Sequence, residues 1–85
     1  MEETNLPLKR AFEEIVDKQI EANDPPQTRD AFDRLKGEGL SESDAKIYIA
    51  QAVALEVWDI MTNRKEFNGE RYLRNLKNLP HEPQE

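Results

Sequence analysis

The sequence predicts an all-α fold: a single small bundle of four helices around one long central helix, at about residues 42–63. Two observations carry this. Helix-start and helix-stop signals divide the chain, and between them apolar residues recur at three- and four-residue steps. A third agrees with them: no alternating β-branched run is bounded by turn residues, so strands are not expected. One helical domain is assigned to 1–80, and the polar, proline-bearing 81–85 to a disordered tail.

The first helix is expected over Leu6 to Ala22, with Asn5 as cap and Pro7 in the first turn, where a missing N–H costs nothing. Leu8, Ala11, Phe12, Ile15, Val16 and Ile20 form its apolar stripe, and Glu13, Asp17 and Glu21 mix with lysines on a wet face. Asn23-Asp24-Pro25-Pro26-Gln27 ends it, because residues before proline are biased away from helix. The same residues open helix two, with Asp24 as cap, Pro25 in the first position and Gln27 completing a capping box. Ala31, Phe32 and Leu35 are its few apolar anchors, so it is expected at the core edge, ending between Gly37 and Gly39.

Ser41 opens the central helix, with Asp44 three residues on. Ile47, Ile49, Ala50, Val53, Ala54, Val57, Trp58, Ile60 and Met61 fill an arc about half the circumference wide. Opposite, Tyr48 and Leu55 project within about 20° of each other. Gln51, Glu56 and Asp59 surround that pair. Asn68 caps the fourth helix, Phe67 and Tyr72 are spaced as a hydrophobic staple, and Pro80 ends it.

Composition narrows the chemistry. Eighty-five residues, 35% charged and 36% hydrophobic, suit one small domain, to which a dimer would lend stability. Without cysteine there is no disulfide, thiolate nucleophile or thiolate metal site. No hydrophobic signal region follows the acidic N-terminus and no apolar run reaches the ~18 residues of a membrane span, so a cytoplasmic protein is expected. The single histidine, His81, lies in the tail, which removes imidazole triads and paired-histidine metal sites from the core. The Gly37-Glu38-Gly39 turn lacks the lysine of a phosphate loop. No catalytic, cofactor-binding or metal-ligating residue is assigned, no small-molecule substrate is evident, and the chain is read as a non-enzyme. An enzyme would need an unusual site at Glu56, Asp59 and Tyr48.

The layout resembles a small uncharacterised prokaryotic all-helical family, a domain of unknown function. The resemblance rests on Gln19-x4-Asp24-Pro25-Pro26, Arg34-Leu35-x3-Gly39, Glu56-Val57-Trp58-Asp59 and Tyr72-x3-Leu76-x2-Leu79-Pro80, and spans about residues 8 to 80. It implies the helical fold and no activity. Similar sequences can carry histidine pairs in the first and third helices. Lys9, Glu13, Ser43 and Ile47 stand at those positions here, so no such chemistry carries over.

Two functional expectations remain. The first is a protein–protein interaction module, an unidentified partner or a homodimer being joined through the back of the third helix at Tyr48, Gln51, Leu55, Glu56 and Asp59; the alternative for this face is that helix four covers it. The second is binding of nucleic acid or another polyanion at 62–79. There Arg64, Lys65, Arg71, Arg74 and Lys77 outnumber Glu66 and Glu70, a local +3 in a chain of net −6. The chain-wide acidity, and the acidic start of the third helix, speak against nucleic acid.

Overall fold

The structure, a computed structural model, describes residues 6–85, with side chains from Leu8 onward. Four helices follow one another: α1 (Leu6–Ala22), α2 (Pro26–Gly37), α3 (Glu42–Asn63) and α4 (Gly69–Asn78), with no strand among the described residues. The predicted all-α bundle is the fold adopted. Asn5, the expected cap of α1, lies outside the described residues.

The junctions follow local chemistry. Asn23 adopts φ 53° at the end of α1 and donates its N–H to Ile20 O, while Asp24 N–H reaches Gln19 O. Gly39, at φ +104°, does the same after α2: its N–H bonds Lys36 O and that of Leu40 bonds Leu35 O. Both are left-handed stops that satisfy the last carbonyls. The start of α2 is one residue later than expected. Pro25 is the N-cap and Pro26 the first helical residue, so Asp24 supplies no side-chain cap. Asp24 lends its main-chain N–H to the α1 stop, and the cap position falls one residue later. Ser41 Oγ accepts from Asp44 N–H at 3.0 Å and Asn68 Oδ1 from Arg71 N–H at 3.0 Å, as read from sequence. The Phe67 and Tyr72 rings meet at 5.6 Å, completing the staple.

α3 touches all three other helices, and α2 also touches both α1 and α4. The edge position expected for α2 is therefore corrected. Leu35 and Thr28 are fully enclosed, because four inward residues on a short helix are enough when three neighbours cover them. Val16, Phe32, Leu35, Ile49, Val53, Tyr72, Leu76 and Leu79 form the centre of the core.

The side of α3 that faces inward is the main surprise. Ala45, Ile49, Ala52, Val53, Glu56 and Asp59 are buried, whereas Trp58 is 55% and Met61 75% exposed. The inward arc is turned about a quarter of the circumference from the one apolar periodicity selects. α4 returns along the side bearing Glu56 and Asp59 and brings a cation that holds both. An apolar count has no term for that pairing.

The tail also differs from expectation. The buried Asn75 side chain donates to Gln84 O at 3.0 Å and accepts Gln84 N–H at 2.9 Å. One side-chain amide thus matches one main-chain unit, fastening 81–85 to α4.

Candidate interaction surfaces

Among the described residues, the α3–α4 elbow gathers the densest polar network. Arg71 Nε donates to Glu56 Oε2 at 2.6 Å, and Nη2 donates to Glu56 Oε1 at 3.0 Å and Asp59 Oδ2 at 2.9 Å. Asn68 N–H donates to Glu56 Oε1 at 3.1 Å and Asn63 Nδ2 to Asp59 Oδ1 at 2.6 Å. Glu56 is 1% exposed. A carboxylate so enclosed is tolerable only with its lone pairs occupied, and a forked guanidinium plus a main-chain N–H does that. Hydrogen bonds from Asn63 and then Arg71 hold the Asp59 carboxyl below its ordinary range. Those that Arg71 donates to Glu56 and then to Asp59 raise its own value. The chemistry is that of a clamp.

This network corrects the sequence expectations for three residues. Glu56 and Asp59 face inward and cannot form an outer interface, because Arg71 draws them under α4. Arg71 cannot serve as a polyanion contact, since two carboxylates already oppose its charge. The other candidates divide. Tyr48 and Leu55 are half-buried, Tyr48 resting against the core, and Gln51 is exposed. Arg64, the left-handed end of α3, and Lys65 are exposed near the elbow, whereas Arg74 and Lys77 are exposed along α4. The basic segment is therefore not one patch.

Two further polar devices tie the bundle. Gln19 Oε1 accepts both Thr28 Oγ1–H and Tyr72 OH at 2.7 Å, linking α1, α2 and α4. Both protons are used there, so the 3.4 Å approach of the two hydroxyls is packing. Burial raises the Tyr72 phenol above its ordinary range. Arg34 reaches from α2 to the end of α4, donating to Leu76 O, Lys77 O and Leu79 O at 3.1, 3.0 and 2.8 Å. A cation there suits the negative end of the helix dipole. No sequence signal named these contacts, which join residues more than forty positions apart in the case of Arg34.

Two concave surfaces lie outside the clamp. One, of about 320 Å³, runs between α1 and α3 over Leu8, Phe12, Ile47, Ala50, Gln51 and Ala54. It continues along α3 toward exposed Trp58 and Met61. The other, of about 520 Å³, lies between α2 and α4 over Ala31, Leu73 and Leu76, rimmed by Asp30, Arg34, Arg74 and Lys77. Among the described residues, no helix is long and apolar enough to cross a membrane. The chain matches no family model, no curated protein and no solved structure.

Proposed function

We propose that this chain is a non-enzymatic cytoplasmic interaction module that pairs with a second copy of itself along α3. The observation carrying this reading is the exposure of Trp58 and Met61 on the same strip of α3 as the α1–α3 groove. Ile47, Ala50, Ala54, Val57 and Met61 alternate steps of three and four, the spacing of a helix–helix seam. Gln51 borders this strip, while Tyr48 and Leu55 lie farther round the helix, so self-association through the third helix is proposed on a different face from the one expected, centred on Trp58.

Self-complementarity favours a second copy as the occupant. Antiparallel pairing centred on Ala54 sets Met61 opposite Ile47 and Trp58 opposite Ala50. Each indole then enters the other copy's groove, the arrangement in which a tryptophan contributes most to an interface. The same register sets Asp44 opposite Arg64. The acidic first turn of each α3, with Glu42 and Asp44, then lies beside the partner's basic end, and the two helix dipoles oppose.

Light scattering during size exclusion, from about 1 µM to 1 mM, tests the reading over the range where modest interfaces dissociate. The wild type is expected to dimerise with rising concentration and a blue shift of Trp58 emission. Trp58→Glu is expected to stay monomeric with unchanged helical circular dichroism. A wild type that remains monomeric throughout sinks the proposal.

A further inference from the structure

The groove between α2 and α4 lies apart from the α3 strip and differs from it in chemistry. Its floor is Ala31, Leu73 and Leu76, all apolar. Its rim holds three cations, Arg34, Arg74 and Lys77, against the single carboxylate of Asp30, although the whole chain is at −6. The groove therefore has the opposite sign to the molecule around it.

Two details keep that charge available. Arg34 gives its Nη atoms to main-chain carbonyls of α4, so among the described residues no carboxylate neutralises it. Arg74 and Lys77 are exposed and, among the described residues, neither makes an ion pair. Arg71, one turn before Arg74, is fully engaged by Glu56 and Asp59. α4 thus divides its basic residues by partner, one cation locking the elbow and two lining an open groove.

We infer that this groove receives an acidic amphipathic segment of a partner protein. Apolar side chains of the segment rest on the half-buried Leu73, and its carboxylates meet Arg74 and Lys77. An apolar floor with a cationic rim selects for both properties at once. A simple polyanion would leave the floor unused, and a neutral apolar helix would leave the rim unpaired. The site uses no residue of the α3 strip, so it stands or falls independently of self-pairing.

The test is titration of the 15N-labelled chain with a synthetic helical peptide of about 14 residues, roughly four turns, bearing leucines at three- and four-residue steps with glutamates between. The expected result is saturable shifts centred on Leu73, Arg74 and Lys77, weakening as salt is raised. Arg74→Glu with Lys77→Glu, both exposed positions, is expected to lower affinity about tenfold or more, with helical content unchanged. Trp58→Glu is expected to bind as the wild type does, which separates this site from α3 pairing. Three controls decide the occupant: lysines in place of the glutamates, serines in place of the leucines, and inorganic polyphosphate. Equal binding of any one of them overturns the inference, as does the absence of shifts at about 1 mM peptide, a concentration that registers even very weak complexes.

Discussion

Arg71 Nε lies 2.6 Å from Glu56 Oε2 across the α3–α4 elbow, and the same guanidinium reaches Asp59 at 2.9 Å. The contact holds two carboxylates on the inward side of α3, alongside Ala45, Ile49, Ala52 and Val53, while Trp58 and Met61 remain outside.

Replacing Glu56 by Gln should therefore be costly despite its near-identical shape. Arg71 loses its enclosed counter-charge, and an amide cannot accept three N–H bonds as a carboxylate does. Removing one partner of an enclosed pair leaves the other under-compensated, and a loss of about 3 kcal/mol is expected, the low end of such losses because Asp59 still faces Arg71. For a chain of this size that lowers the thermal midpoint by roughly 10–20 °C. A midpoint within experimental error of the wild type in a thermal scan would mean that the clamp does not hold the elbow.

Asp59 makes the elbow acid-sensitive in one direction. Its carboxyl is held below the ordinary value of 3.8, so the folded chain binds fewer protons there than the unfolded chain does. That contribution is present in full above the unfolded value and fades as pH falls through the lower, folded one. Asp59→Asn should be less stable than the wild type at neutral pH, and the gap should close as pH is lowered below 4 (urea unfolding at several pH values reads it). A gap constant with pH contradicts the assignment.

Tyr72 gives the opposite limb. Burial raises its phenol, so the folded state retains the proton longer than the unfolded one. Its share of stability is complete below the ordinary value of 10.0 and is lost as pH rises above it. Tyr72→Phe removes one hydrogen bond to Gln19, whose oxygen still accepts from Thr28, so a modest loss of about 1 kcal/mol is expected at neutral pH. The variant should also lose the part of the alkaline destabilisation that Tyr72 supplies.

Arg34 tests whether geometry or charge closes the end of α4. Arg34→Lys keeps the charge but cannot span three carbonyls with one ammonium group. A loss of about 1–2 kcal/mol is expected, with faster amide exchange across the last turn of α4. Equal stability of the lysine variant would show that charge alone suffices.

The antiparallel register makes a reciprocal prediction for self-pairing. Asp44→Lys and Arg64→Glu should each weaken the dimer about two- to fivefold, the scale of an exposed ion pair. The two changes combined should restore affinity. Two losses that simply add would exclude the register.

The sequence alone determined what depends on near neighbours. Ser41 and Asn68 name their helix starts because a cap acts within three residues, and the staple of Phe67 with Tyr72 spans five. Helix number and order followed from the same local signals and from apolar periodicity. Tertiary structure decided what depends on distant partners: Glu56 with Arg71, Gln19 with Tyr72, Arg34 with the end of α4, Asn75 with Gln84. Periodicity ranks faces by apolar content and treats a carboxylate as outward. A guanidinium arriving from another helix reverses that ranking, turning Glu56 and Asp59 inward and leaving Trp58 and Met61 at the surface.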